Sequence, residues 1–217
     1  MKRQQGLSLI ELMIAILISS LLLLGVLQLF TDTNSADRSS TALARVQESG
    51  RILMEIIGTD ARRAGYQGCS ASANTVTIGT LKFPADAIGF ASNSLTLRYA
   101  TRANTGTRFA NNKTCTEQDL YLQSVTYSNC PTADGIQRIC KSSNGGVNDP
   151  LVDNAQITAI DFGVTQGGKT VWKESAAMTA AEIDNVKSVR ISLSIEDTRE
   201  DVLRTYSSTF ELRNRIL

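Results

Sequence analysis

Four cysteines and one acid carry most of the chemical information in this chain: Cys69, Cys115, Cys130, Cys140, and Glu11 set in an apolar run. The sequence has no histidine, which removes the commonest general base, the commonest transition-metal ligand and any Ser-His-Asp triad. None of the cysteine spacings is CxxC, so a zinc site would need four widely spaced thiolates. An even number of cysteines beyond a segment apolar enough to cross a membrane points instead to disulfides in an oxidising compartment. Four cysteines allow three connectivities, and the sequence does not choose among them. The short Cys130–Cys140 loop contains Pro131 and Gly135, which favours a local hairpin clip. Cys69 with Cys115 would then tie the end of the first helix to the first strands.

Other candidate chemistry is weak. Asn144, Asn148, Asp149, Asp153 and Asn154 lack the spacing of a calcium loop and its terminal bidentate Glu, and read as solvated turn residues. Trp172 reads as a core or rim anchor. No glycine-rich phosphate loop is present. With 22 basic and 21 acidic side chains, the net charge of +1 offers no broad footprint for nucleic acid. No catalytic residue, cofactor or metal is expected, and the chain is not expected to be an enzyme.

The elements that place these residues begin with residues 1–31. Lys2 and Arg3 are the only charges before Glu11, and the 20 residues from Leu12 to Thr31 carry none. A helix of that length spans about 30 Å, the thickness of a bilayer's hydrocarbon core. The basic flank leaves the N-terminus cytoplasmic and the remainder outside the cytoplasm. A cleaved signal peptide expects a shorter apolar region and a small-residue cleavage site after it. A plain signal anchor fits the length but leaves Glu11 unexplained, and an acid at such a position is a functional residue by default.

The segment Gly6-Leu7-Ser8-Leu9-Ile10-Glu11 resembles the processing site of type IV prepilins. The resemblance implies cleavage by prepilin peptidase between Gly6 and Leu7, N-methylation of Leu7 in place of the family's usual Phe, and Glu11 as the fifth mature residue. Buried carboxylates need partners. In a packed array Glu11 would pair with the terminal amine of a neighbour and so fix the axial register of the helices.

The helix is predicted to continue past Thr31, with a looser polar stretch to Thr41, and to end near Ala64. Leu43, Val46, Leu53, Ile57 and Ala61 form an apolar stripe flanked by Ile52 and Ile56. Arg45, Gln47, Glu48, Arg51 and Asp60 are expected between them. Arg62, Arg63 and Gly65 give a C-terminal signal. Strand patterns follow around Leu95–Tyr99, Leu120–Val125, Ile157–Val164, Val189–Ile195 and Tyr206–Leu212. Turns are expected at Asn144-Gly145-Gly146, Asp149-Pro150 and Gly167-Gly168. A hairpin connection is expected near Arg199, Glu200, Asp201 and Arg204. A short helix is expected at Thr179–Asn185, with Thr179 and Glu182 forming a capping box.

The expected fold class is therefore α+β: a long N-terminal α-helix, transmembrane in its first half and amphipathic in its second, packed on an antiparallel β-sheet head, as in pilins. The parts are a leader at 1–6, a transmembrane or filament-core helix at 7–31, the amphipathic half at 32–64, and an extracytoplasmic head at 65–217. Within the type IV pilin-like proteins the resemblance is to PilW-type minor pilins. It is carried by residues 6–15, by Asp60-Ala-Arg-Arg-Ala-Gly-Tyr-Gln-Gly-Cys69 and by Phe210-Glu-Leu-Arg-Asn214. It implies a scarce subunit at the pilus tip that helps to start assembly. The implied partners are other major and minor pilins, prepilin peptidase, the inner-membrane assembly platform and membrane lipid, with no nucleic acid. The implied location is the inner membrane and then a surface pilus. Minor pseudopilins of type II secretion systems share the motif and are the alternative. A membrane-anchored extracytoplasmic binding protein or enzyme is the alternative of another class.

Overall fold

The computed structural model describes residues 8–69, 76–91, 93–130 and 133–215. Gly6 and Leu7, the expected cleavage site, lie outside the described residues. One 55-residue helix, α1, runs from Leu9 to Arg63. The chain divides into two units, one up to Ala44 and one from Arg45 onward.

In the first unit every described residue from Ser8 to Thr41 is exposed. A window of 18 residues within α1 has a mean hydropathy of 2.6. Leaving a Leu or Ile in water costs roughly 1.5–3 kcal/mol relative to burying it. A row of such side chains is therefore a surface for lipid or for other protein. The polar stretch from Thr31 to Thr41 is not looser, as expected, but helical throughout. Its side chains feed hydrogen bonds back into the helix: Gln28 Nε2 donates to Asp32 Oδ1 at 3.0 Å and Thr33 Oγ1 to the Leu29 carbonyl at 2.7 Å.

The described residues of the second unit form twelve strands: β1 Val76–Ile78, β2 Leu81–Phe83, β3 Ile88–Ala91, β4 Ser94–Thr101, β5 Arg108–Lys113, β6 Asp119–Asn129, β7 Arg138–Ser143, β8 Asp149–Asp153, β9 Ala155–Gln166, β10 Lys169–Glu174, β11 Val186–Asp197 and β12 Val202–Glu211. They form an antiparallel β1-β2 ribbon, a sheet in the order β3-β4-β6-β7-β8 with β5 also on β6, and a four-stranded sheet in the order β10-β9-β11-β12. The expected antiparallel β-sheet head is present, and among the described residues it comprises three sheets. The alternation of Leu95 and Leu97 on β4, and of Val189, Ile191 and Leu193 on β11, turns their apolar sides inward. Those sides share one core with Val46, Leu53, Ile57 and Ala61 of α1 and with Ala64 just after it. A smaller core beneath the β1-β2 ribbon holds Phe83 and Phe109 edge to face, 5.5 Å apart. Asn129 joins the two large sheets, accepting from Ile157 N–H at 2.7 Å and donating to its carbonyl at 3.0 Å.

Several expectations need correction. Asp60 does not lie on the polar flank of α1; it is 4% exposed and belongs to the buried stripe. Asp149-Pro150 opens β8 rather than a turn, because an edge strand tolerates the missing N–H of proline. Asp153 closes the same strand and pairs with Arg138. Trp172 takes the rim of the two places expected for it, 37% exposed, with the Arg190 guanidinium 4.7 Å from its ring centroid. Arg204 lies on β12 rather than in the connection before it. The short helix is a 3-10 helix over Ala180–Asn185, with Glu182 accepting from Thr179 N–H at 3.2 Å.

Candidate functional site

Two places stand out, and the sequence motifs mark both. The first is the start of α1. The Ser8 carbonyl accepts from Glu11 N–H at 3.1 Å and from Leu12 N–H at 3.2 Å. Glu11 therefore sits in the first helical turn, where an acid complements the helix dipole. Leu9, Ile10, Leu12, Met13 and Ile14 surround it, all exposed. An acid amid exposed apolar side chains needs a counter-charge once such a surface is taken out of water.

The second place is the exit of α1, residues 60–69. Asp60 is 7 residues beyond Leu53 and 14 beyond Val46, so the helical period aims it into the head with them. There it accepts from Tyr99 Oη on β4 at 2.9 Å, Tyr127 Oη on β6 at 2.6 Å and Lys141 Nζ on β7 at 3.0 Å. One carboxylate thus ties the helix to three adjacent strands. Burial and then the Asp60 charge push the Tyr99 phenol up to about 12. Tyr127 is raised by burial and by its hydrogen bond to the same carboxylate. Both phenols are consequently neutral donors at any physiological pH. The helical spacing that carries Val46 and Leu53 was the available signal for Asp60. Its charge argued against burial, and nothing in the local sequence announces partners 39 and 67 residues away.

The following residues stitch the chain to the same sheet. Gly65, with φ of 82°, ends the helix and donates to the Arg98 carbonyl at 2.9 Å. The Tyr66 carbonyl accepts from Ala100 N–H at 2.7 Å, and Cys69 N–H donates to the Lys113 carbonyl at 3.1 Å. Gly68 has φ of 94°, and a Cβ there would lie 2.5 Å from the Lys113 carbonyl oxygen. Asn214 reaches back to the carbonyls of Arg62, Arg63 and Ala64 at 3.3–3.5 Å. The second and third of the sequence blocks, 60–69 and 210–214, therefore meet at the end of α1.

The cysteines pair as Cys69–Cys115 and Cys130–Cys140, with Cα separations of 5.2 and 5.9 Å. The first fixes the helix exit to the segment after β5; the second joins the end of β6 to β7.

Residues 1–27 match the model of the prokaryotic N-terminal methylation motif. Residues 39–212 match the model of prepilin peptidase-dependent protein B, which takes in the second half of α1 and almost the whole head. No curated protein and no solved structure matches the chain. The motif at its start, the apolar helix behind it and a match spanning both the Asp60 block and the last strand make the chain a member of the prepilin peptidase-dependent protein B family, among the type IV pilin-like proteins.

Proposed function

We propose that this chain is a minor pilin of a type IV pilus, of the PilW type, which helps to start pilus assembly and is incorporated at or near the tip. It is a structural subunit without catalytic activity. The observation that carries this reading is the methylation motif at 1–27 placed directly on an exposed apolar helix that opens with Glu11. Prepilin peptidase cuts between Gly6 and Leu7, and Leu7 is N-methylated. The helix first holds the subunit in the inner membrane, N-terminus in the cytoplasm and head in the periplasm, where the disulfides form. It then leaves lipid and packs among the helices of other major and minor pilins on the assembly platform. Glu11 sets the register by pairing with a neighbour's terminal amine.

Mass spectrometry of the mature chain tests the first step: it should begin at Leu7, with one added methyl on the α-amine. A chain that retains Met1–Gly6 would reject the reading in favour of a plain membrane-anchored protein. Deletion of the gene in its host tests the second step. Loss of surface pili with protein secretion intact supports a minor pilin. Loss of secretion with pili intact identifies a type II secretion pseudopilin instead.

A further inference from the structure

Where α1 ends, a cleft of about 400 Å³ opens against the end of β4, bounded by Arg63, Tyr66, Tyr99, Thr101, Arg102 and Thr114. Among the described residues no carboxylate lines it. Arg63 and Arg102 are exposed, and neither has an ion-pair partner among the described residues. Arg51, Arg108, Arg138 and Arg190, by contrast, each hold an acid of the same chain. The wall formed by Arg63 and Tyr66 is held in place. The Arg63 guanidinium lies 5.9 Å from the Tyr99 ring centroid, and the Tyr66 backbone is bound on both sides, to Arg63 and to Ala100. Tyr66 itself is 37% exposed and lines the opening.

Two guanidiniums, hydroxyl groups and an aromatic wall, with no carboxylate among the described lining residues, match a carboxylate, which a guanidinium can bind through two parallel hydrogen bonds. We propose that this cleft seats an acidic segment of a neighbouring pilin-like subunit, an Asp or Glu side chain entering between Arg63 and Arg102. The proposal rests on the reading of the chain as a subunit of an assembly. A phosphate backbone is a poorer fit, because it rewards a row of cations, and this chain balances 22 basic against 21 acidic side chains. The contact would lock the end of α1, with its Asp60 anchor, to the next subunit.

The test uses the full-length chain expressed in its host, with Tyr66 replaced by photoreactive benzoyl-phenylalanine, a side chain of similar shape. Irradiation should join it to a second protein bearing a prepilin-type N-terminus, at a peptide with Asp or Glu close to the cross-link. Arg102→Glu should lower the yield about tenfold or more, Arg102→Gln less, and Arg102→Lys least. Reversing the partner's acid to Lys should restore yield to the Arg102→Glu chain. Variants are compared at equal membrane level and with both disulfides formed. Cross-links to nucleic acid or lipid, a partner peptide without an acid, or a yield unmoved by Arg102→Glu would each overturn the proposal. Recovery of the unsubstituted chain with other prepilin-type subunits is measured in parallel. If it is recovered while the cleft forms no such cross-link, this proposal alone fails; if it is never recovered, the subunit reading fails and takes this one with it.

Discussion

Asp60 holds two phenols and one ammonium at once, and it does so in the core beside Leu53 and Ile57. Truncating it leaves three donors without their acceptor, two of them buried. Asp60→Ala should therefore destabilise the folded head by roughly 3–5 kcal/mol, read from denaturant unfolding of the full chain in detergent. Asp60→Asn keeps one acceptor oxygen and should cost less. Tyr127→Phe removes a single donor and should cost about 1–2 kcal/mol. The phenols also make an alkaline prediction. Tyr99 is raised from an unfolded value of 10 to about 12, with burial as the main cause. Between those values the folded chain holds a proton that the unfolded chain has released. Stability is then fully present below pH 10 and falls as pH rises toward 12. A spectrophotometric phenolate titration should show a late-ionising group of tyrosines that joins the early ones only on unfolding. Titration of all tyrosines near pH 10 in the folded protein would contradict the buried arrangement around Asp60.

At the level of elements, α1 changes role along its length. Its first half is apolar and exposed; its second half carries two glycines, Gly50 and Gly58, that weaken an isolated helix by about 1 kcal/mol each relative to Ala. Their purpose is packing. A Cβ on Gly58 would lie 2.5 Å from the Phe210 ring of β12, and one on Gly50 would lie 2.7 Å from the Tyr206 ring of the same strand. The ordinary gain from Gly→Ala in a helix should therefore reverse. Gly58→Ala should lower stability by roughly 1–3 kcal/mol, with a drop in melting temperature as the readout. A stabilising Gly58→Ala would mean that β12 does not sit on the helix as described. The two disulfides should also differ. Cys69–Cys115 closes 46 residues and Cys130–Cys140 closes 10. Loop-closure entropy assigns them about 4 and about 3 kcal/mol respectively. Double Cys→Ser exchange at 69 and 115 should thus be the more damaging, measured by unfolding midpoints of the two variants.

Within the second unit, the end of α1, residues 60–69, and the segment after β12 meet at one point. An assembly role makes Glu11→Ala a useful variant, because it leaves the exit untouched. The chain should still be cleaved after Gly6 and still fold its head, yet enter filaments less often than the unsubstituted chain, as judged by immunoblots of sheared pili. Unchanged entry would reject the pairing of Glu11 with a neighbour's amine. The sequence by itself determined the parts governed by near neighbours in the chain. A run of 20 uncharged residues makes a helix that water does not favour, and strict alternation at Val189–Ile195 makes a strand with one dry face. Gly65 after Arg62 and Arg63 likewise ends a helix for local reasons. The division of the strands into three sheets, the short strands β1, β2 and β3, and the conversion of Asp149-Pro150 into an edge strand came only with the tertiary structure. So did the burial of Asp60, whose negative charge reads as solvent-facing until Tyr99, Tyr127 and Lys141 arrive from distant strands to satisfy it. Local pattern fixes which face of an element is apolar. Whether a charged residue can join that face depends on partners that only the folded chain brings together.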